Sequence, residues 1–229
     1  MREISYRIPF LLAAALTAIV VVAQLGVSEL LHKTYYNFLI WNLFLAWLPF
    51  VFAIAADQLN RRAAKPHPVI LTLLGIAWLL FFPNAPYIVT DMLHLTIRKT
   101  SYVQGNQVSL SYWNDLVLIT MYAWIALLVG AVSTYLMHTM IRRWASALTG
   151  WAFIAVTSVL SGYGILLGRV YRLNSWDVLS DSGLLLKTIE DTMNVKAAWF
   201  SLIFGGLIAA VYLTFYVLIN LKGRETESR

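Results

Sequence analysis

The chain has 229 residues, of which 60% are hydrophobic and 12% charged, with a mean hydropathy of +0.70, far more apolar side chain than a soluble core of this size can use. Its formal net charge is +6 and it contains no cysteine, which excludes disulfides, thiolate metal ligands and a cysteine nucleophile. The basic excess sits beside apolar runs, where it sets membrane topology, so no nucleic-acid partner is needed to explain it.

Runs of roughly 20 apolar residues, enough to cross a hydrocarbon core of about 30 Å, predict an all-α integral membrane protein of six spans in a single polytopic domain. The runs are Ile8 to Val27, Tyr36 to Ala56, Val69 to Thr90, Leu116 to Met140, Trp144 to Leu167 and Ala197 to Leu221. The first is longer than a signal-peptide core and is read as an anchor. Arg2, Arg7, Arg61, Arg62, Lys65, Arg142, Arg143, Lys222, Arg224 and Arg229 fall on one side of these spans. Lys33, Arg98, Lys99, Arg169, Arg172, Lys187 and Lys196 fall on the other, spread over longer segments. The positive-inside rule then places both termini in the cytoplasm.

In the first span Gln24 is the isolated polar residue, suited to an interhelical hydrogen bond. The second carries Tyr36, Trp41, Asn42 and Trp47, with Pro49 expected to kink it and Asn42 to bond a neighbouring helix. A basic loop with Pro66 and Pro68 precedes the third.

The third span breaks at Pro83 and Pro86, each of which lacks an N–H and crowds the preceding turn. Val69 to Phe82 gives a helix of roughly 21 Å, short of the bilayer core. The break therefore falls within the membrane, where irregular backbone requires protein or a wet cavity around it. This predicts a polar pocket open to the outer side. Asn84 can cap a restarted helix from about Ala85 to Arg98, whose N-terminus would favour an anion, with Tyr87 beside it. Asp91, His94 and Arg98 then share one face.

After a polar loop with a turn signal at Gln104-Gly105-Asn106, Trp113-Asn114-Asp115 opens the fourth span. Asp115 either caps that helix or faces Asp91 and His94. At the end of the fifth span Gly164 and Gly168 form a small-residue face. Arg169 and Arg172, spaced i, i+3, can present two guanidinium forks to a carboxylate or phosphate, or snorkel to headgroups. Asn174 and Asp177 follow closely. Between Ser182 and Met193, Leu185, Leu186, Ile189 and Met193 share a face, as in an outer-surface amphipathic helix.

Phe81-Phe82-Pro83-Asn84-Ala85-Pro86-Tyr87-Ile88-Val89-Thr90-Asp91-Met92-Leu93-His94-Leu95, together with Gly168-Arg169 and Arg172-Leu173-Asn174-Ser175-Trp176-Asp177, resembles the bacterial membrane-protein family catalogued as domain of unknown function 1361. The resemblance covers most of the chain. It implies a multi-span protein of the bacterial cytoplasmic membrane, and it brings no residue roles with it.

Three function classes fit these features. The first binds or modifies an anionic or lipid-linked substrate at the outer leaflet. Asp91, His94 and Asp115 would act as acid or base groups there, and Asn84, Tyr87, Arg169, Arg172, Asn174 and Asp177 would hold the substrate. A metal would use His94, Asp91 and Asp115, but one histidine with two carboxylates and no HxxxH-type spacing is a weak metal signature, and no metal is assigned. The second is a passive transporter or lipid-moving protein. Only the third span is broken and its counterpart, the sixth, shows a glycine pair alone, which argues against coupled transport by inverted repeats. The third is a non-catalytic subunit that docks a partner on its aromatic outer surface.

Overall fold

The computed structural model describes residues 7–30, 36–62, 67–104 and 107–224. Their order is α1 (Arg7–Leu30), α2 (Phe38–Arg62), α3 (Pro68–Phe81), α4 (Asn84–Tyr87), a 3-10 stretch (Ile88–Met92), α5 (Leu93–Ile97), α6 (Lys99–Tyr102), the strands β1 (Val103–Gln104) and β2 (Gln107–Val108), α7 (Leu110–Trp144), α8 (Ala147–Val170), α9 (Asp177–Ser180), α10 (Ser182–Thr192) and α11 (Val195–Arg224). Six helical segments among the described residues are long and apolar enough to cross a membrane, with Pro68–Ile97 counting as one of them. The protein is therefore an all-α multi-span membrane protein. Its strands form a two-residue antiparallel pair, Val103 opposite Val108 and Gln104 opposite Gln107.

The chain divides into two compact units, residues 1–47 with 84–129, and residues 48–83 with 130–229. The cuts fall next to Pro49 in α2, at Pro83, and at Gly130 in α7.

In the first unit, buried Gln24 meets the interhelical role expected of it. Its amide donates to the Tyr36 carbonyl (3.3 Å) and to Asn37 Oδ1 (3.2 Å), and its Oε1 accepts from the Tyr122 hydroxyl (2.5 Å). An unpaired amide in a lipid-facing helix is costly, and here both ends are satisfied. Trp47 Nε1 donates to Thr17 Oγ1 (3.2 Å), joining α2 to α1.

In the second unit, Trp78 is fully buried, stacks on Phe82 (4.7 Å between centroids) and donates to Ser133 Oγ (3.2 Å). α8 and α11 pack closely, because glycines remove the side chains between them. A Cβ added at Gly205 would lie 3.0 Å from the Ser158 carbonyl oxygen, and one at Gly162 would meet the backbone of Ser201. Such small-residue crossings are how membrane helices gain dispersion contact without a hydrophobic effect between them. At one end, His138 Nδ1 meets the Tyr212 hydroxyl (2.5 Å) and Arg142 donates to the Tyr216 hydroxyl (2.9 Å).

The break in the third span differs from expectation. Phe82 keeps helical dihedrals and its N–H still bonds the Trp78 carbonyl (2.8 Å), so the helix runs up to Pro83. Beyond it, instead of one restarted helix over Ala85 to Arg98, there is a single α turn, a 3-10 stretch and a second short α segment. Pro83 and Pro86 remove two successive donors from the i to i−4 ladder, and the chain answers with tighter turns. A four-residue turn aligns too few peptide dipoles to serve as an anion site. Nor is the break hollow on its Pro83 side. A Cβ added at Gly164 would lie 2.6 Å from Pro83 Cγ, so the proline ring lies against α8.

Candidate functional site

The polar groups expected near the break lie just beyond it, in the first unit. Asp91 lies in the 3-10 stretch and His94 three residues on, in the first turn of α5, a spacing that brings the two side chains together. Asp91 is 1% exposed, and its Oδ2 accepts from Asn42 Nδ2 at 2.9 Å. Asn42 thus forms the interhelical bond expected of it. His94 Nδ1 lies 3.0 Å from the Asp91 main-chain oxygen and 3.8 Å from its Oδ1. A carbonyl oxygen only accepts, so Nδ1 carries a proton, and it is Nε2 that keeps the lone pair in the neutral ring. The His94 ring lies 4.8 Å from Phe38 and 6.3 Å from Tyr36, yet its side chain is 28% exposed. The result is a base nitrogen on an imidazole fixed from behind and walled by aromatics.

Asp115 does not cap its helix. The fourth span starts at Leu110, several residues before the expected Trp113-Asn114-Asp115 opening, so Asp115 is already inside α7. It is 1% exposed and its Oδ2 accepts from the Tyr102 hydroxyl (2.7 Å). Tyr102 in turn meets the Tyr36 hydroxyl at 2.5 Å. A phenol has one proton, so with Tyr102 donating to the carboxylate, Tyr36 must donate to Tyr102. The chain Tyr36, Tyr102, Asp115 therefore has a fixed polarity ending on the acid. Burial drives the Tyr102 phenol far above its ordinary value, and its hydrogen bond to Asp115 adds to this. Burial also raises Tyr36, reinforced by Asp115 and offset in part by Arg98. Arg98 follows α5 and ends the His94 side of this cluster.

Of the other expected residues in this unit, Asn84 opens α4 and Tyr87 closes it, both half-buried, with the Tyr87 carbonyl accepting from Thr90 Oγ1 (2.6 Å). Arg169, Arg172, Asn174 and Asp177 belong to the second unit. The i, i+3 face expected for the two arginines is not formed, because α8 ends at Val170 and Arg172 has φ 60°. Arg172 occupies the left-handed position that glycine usually fills after a helix, and the Leu173 N–H turns back to the Leu167 carbonyl (3.1 Å). Arg169 lies in the last helical turn, where the dipole favours a cation. Asp177 accepts from the Asn174 N–H (2.6 Å) and side chain (3.3 Å) and from Ser180 Oγ (3.2 Å), so these residues shape the turn into α9.

Sequence reasoning did not single out Tyr102, His138 or the joining role of Tyr36. Tyr36 and Tyr102 are 66 positions apart, and no local spacing signals the pair. His138 did carry a signal, being an ionisable residue inside an apolar run. Among the described residues no group of three or more His, Asp or Glu side chains is arranged to hold a metal ion.

The chain belongs to the family described as "Protein of unknown function (DUF1361)", which matches residues 41–211. No curated protein and no solved structure matches it. The matched region contains Asn42, Asp91, His94, Tyr102 and Asp115, and leaves Gln24 and Tyr36 outside.

Proposed function

We propose that this member of the family binds and modifies an anionic or lipid-linked substrate at the polar cluster of its first unit, with His94 Nε2 as the proton acceptor. The observation that carries the reading is the orientation of His94. Its Nδ1–H is committed to the Asp91 carbonyl at 3.0 Å, while the ring remains part-exposed. The Asp91 carboxylate, itself held by Asn42, stands 3.8 Å from Nδ1 to stabilise the imidazolium once a proton is taken. Arg98, on the same short segment, supplies the charge for a phosphate or carboxylate. By the positive-inside rule the cluster faces outward in a bacterial cytoplasmic membrane, with both termini cytoplasmic.

The test compares lipid-linked species, by mass spectrometry, in membranes of cells with and without the chain. A species should change in amount with the wild-type chain, and the change should vanish with His94→Gln at equal membrane abundance. Asp91→Asn should act in the same direction. A His94→Gln chain that reproduces the wild-type lipid profile ends the proposal. Loss of abundance in Asp91→Asn with full activity per molecule would instead assign Asp91 a structural pairing.

A further inference from the structure

The segment between α8 and α11 was expected to lie on the membrane with Leu185, Leu186, Ile189 and Met193 on one face. The structure splits that set. Leu185, Thr188 and Ile189 are half-buried and Thr192 is fully buried, and the Thr192 hydroxyl meets the Tyr163 hydroxyl of α8 at 2.6 Å. This stripe fastens α10 to the protein. Leu184 and Leu186 flank it on either side and are exposed. Leu179 is 91% exposed and Met193 80%. Lys187, Glu190 and Asp191 occupy the remaining face, and Asp181 Oδ1 caps the helix start by accepting from the Leu184 N–H (3.1 Å).

From Met193 the exposed apolar surface continues through Val195 and Trp199 into α11, whose flank is of the kind a membrane span presents to lipid. The exposed leucines of α9 and α10 thus lead in sequence into a helix flank that, in a membrane span, meets lipid. We infer that the α9–α10 segment is a lipid-surface anchor, seated by Leu179, Leu184, Leu186 and Met193 in the headgroup and acyl boundary of the bilayer. It is held there by apolar contact and not by headgroup charge. The charge balance decides this second point. Asp177, Asp181, Glu190 and Asp191 outnumber Lys187 and Lys196, so anionic lipid offers the segment no net attraction, unlike the Lys/Arg-rich helices that read acidic membranes. A neutral zwitterionic surface is the partner that fits.

The absence of cysteine makes a direct test available. Single variants Leu179→Cys, Leu186→Cys, Met193→Cys and Glu190→Cys of the full chain carry a nitroxide label in phosphatidylcholine vesicles. Collisions with oxygen, which partitions into lipid, are compared with those of a water-soluble nickel chelate. Labels at 179, 186 and 193 should favour oxygen several-fold over the label at 190, unchanged when phosphatidylglycerol replaces part of the lipid. Leu185→Cys, on the packed stripe, should give an immobilised spectrum, which verifies that α10 stays docked. Equal aqueous access at 186 and 190 overturns the inference. So does lipid contact that appears only with phosphatidylglycerol, or shielding from both reagents with spin–spin broadening, which would put a second copy of the chain on this face.

Discussion

Replacing Tyr102 with phenylalanine tests the polarity of the buried hydroxyl chain. The substitution keeps the ring and removes one oxygen, which now donates to Asp115 Oδ2 at 2.7 Å and meets the Tyr36 hydroxyl at 2.5 Å. Tyr36, Tyr102 and Asp115 are 0%, 4% and 1% exposed, so water does not readily replace the lost partner. A hydrogen bond to a charged group contributes about 1.5–3 kcal/mol, and a buried hydroxyl left without an acceptor costs about 1–3 kcal/mol. Tyr102→Phe should therefore destabilise the protein by about 3 kcal/mol. Tyr36→Phe removes only the outer donor and should cost about 1 kcal/mol. In the double variant the Tyr36 hydroxyl is gone before it can be orphaned, so the combined cost should fall about 1 kcal/mol short of the sum. Equilibrium unfolding in mixed micelles, followed by tryptophan fluorescence over a rising fraction of dodecyl sulfate, measures all three. A Tyr102→Phe cost within about 0.5 kcal/mol of zero, or strict additivity in the double variant, would refute the chain as described.

The same tyrosines predict a pH dependence. Both phenols are raised above the ordinary value of 10.0 in the folded protein, so their stabilisation is complete below that value and is lost as pH rises past it, because the unfolded chain ionises first. The unfolding midpoint should fall above pH 10 and fall less steeply in Tyr36→Phe; tyrosinate absorbance rising before unfolding would contradict this. Gly162→Ala should separate α8 from α11 and cost about 1–3 kcal/mol, since its Cβ would meet the Ser201 backbone. Gly206→Ala, with nothing within 4 Å of the new Cβ, should be neutral or gain up to about 1 kcal/mol from helix propensity. Equal effects at the two positions would remove the close-crossing argument. Arg172→Gly should raise stability by roughly 1 kcal/mol by relieving φ 60°. An unchanged unfolding midpoint would remove the strain argument.

The spans were legible because apolar runs of bilayer length have few other uses, and the positions that end them, from Pro68 to Arg142, are local features. Asp91 and His94 were legible as a pair because three-residue spacing brings side chains together in either an α or a 3-10 turn. The 3-10 geometry itself was not, since it follows from the loss of two donors at Pro83 and Pro86 together. Asp115 illustrates the limit. Its position after Tyr112 and Trp113 also reads as a cap, and what separates the readings is Tyr102, brought in from α6. The helical face expected to carry both Arg169 and Arg172 is missing for a local reason that spacing does not reveal. The helix ends between them, at an arginine in a conformation that glycine would more readily take.

Among the described residues three carboxylates are buried, in different company. Asp57 faces Arg61 of the same helix at 2.8 Å, one turn on. The two opposite charges offset each other within a single helical turn. Asp115 receives a phenol whose proton is held more firmly than usual, an arrangement that positions rather than transfers. Asp91 has a neutral amide on one oxygen and, beside the other, an imidazole at 3.8 Å that is still part-exposed. On the proposed reading this is the carboxylate that attends the proton acceptor. Neutralising it as Asp91→Asn keeps the shape and removes the stabilisation of a His94 imidazolium. Asp115→Asn keeps an acceptor for Tyr102 and should be milder in turnover than in stability. The reverse ranking, with Asp115→Asn abolishing turnover in folded protein and Asp91→Asn sparing it, would move the chemistry to the tyrosine chain and leave His94 as an aromatic wall.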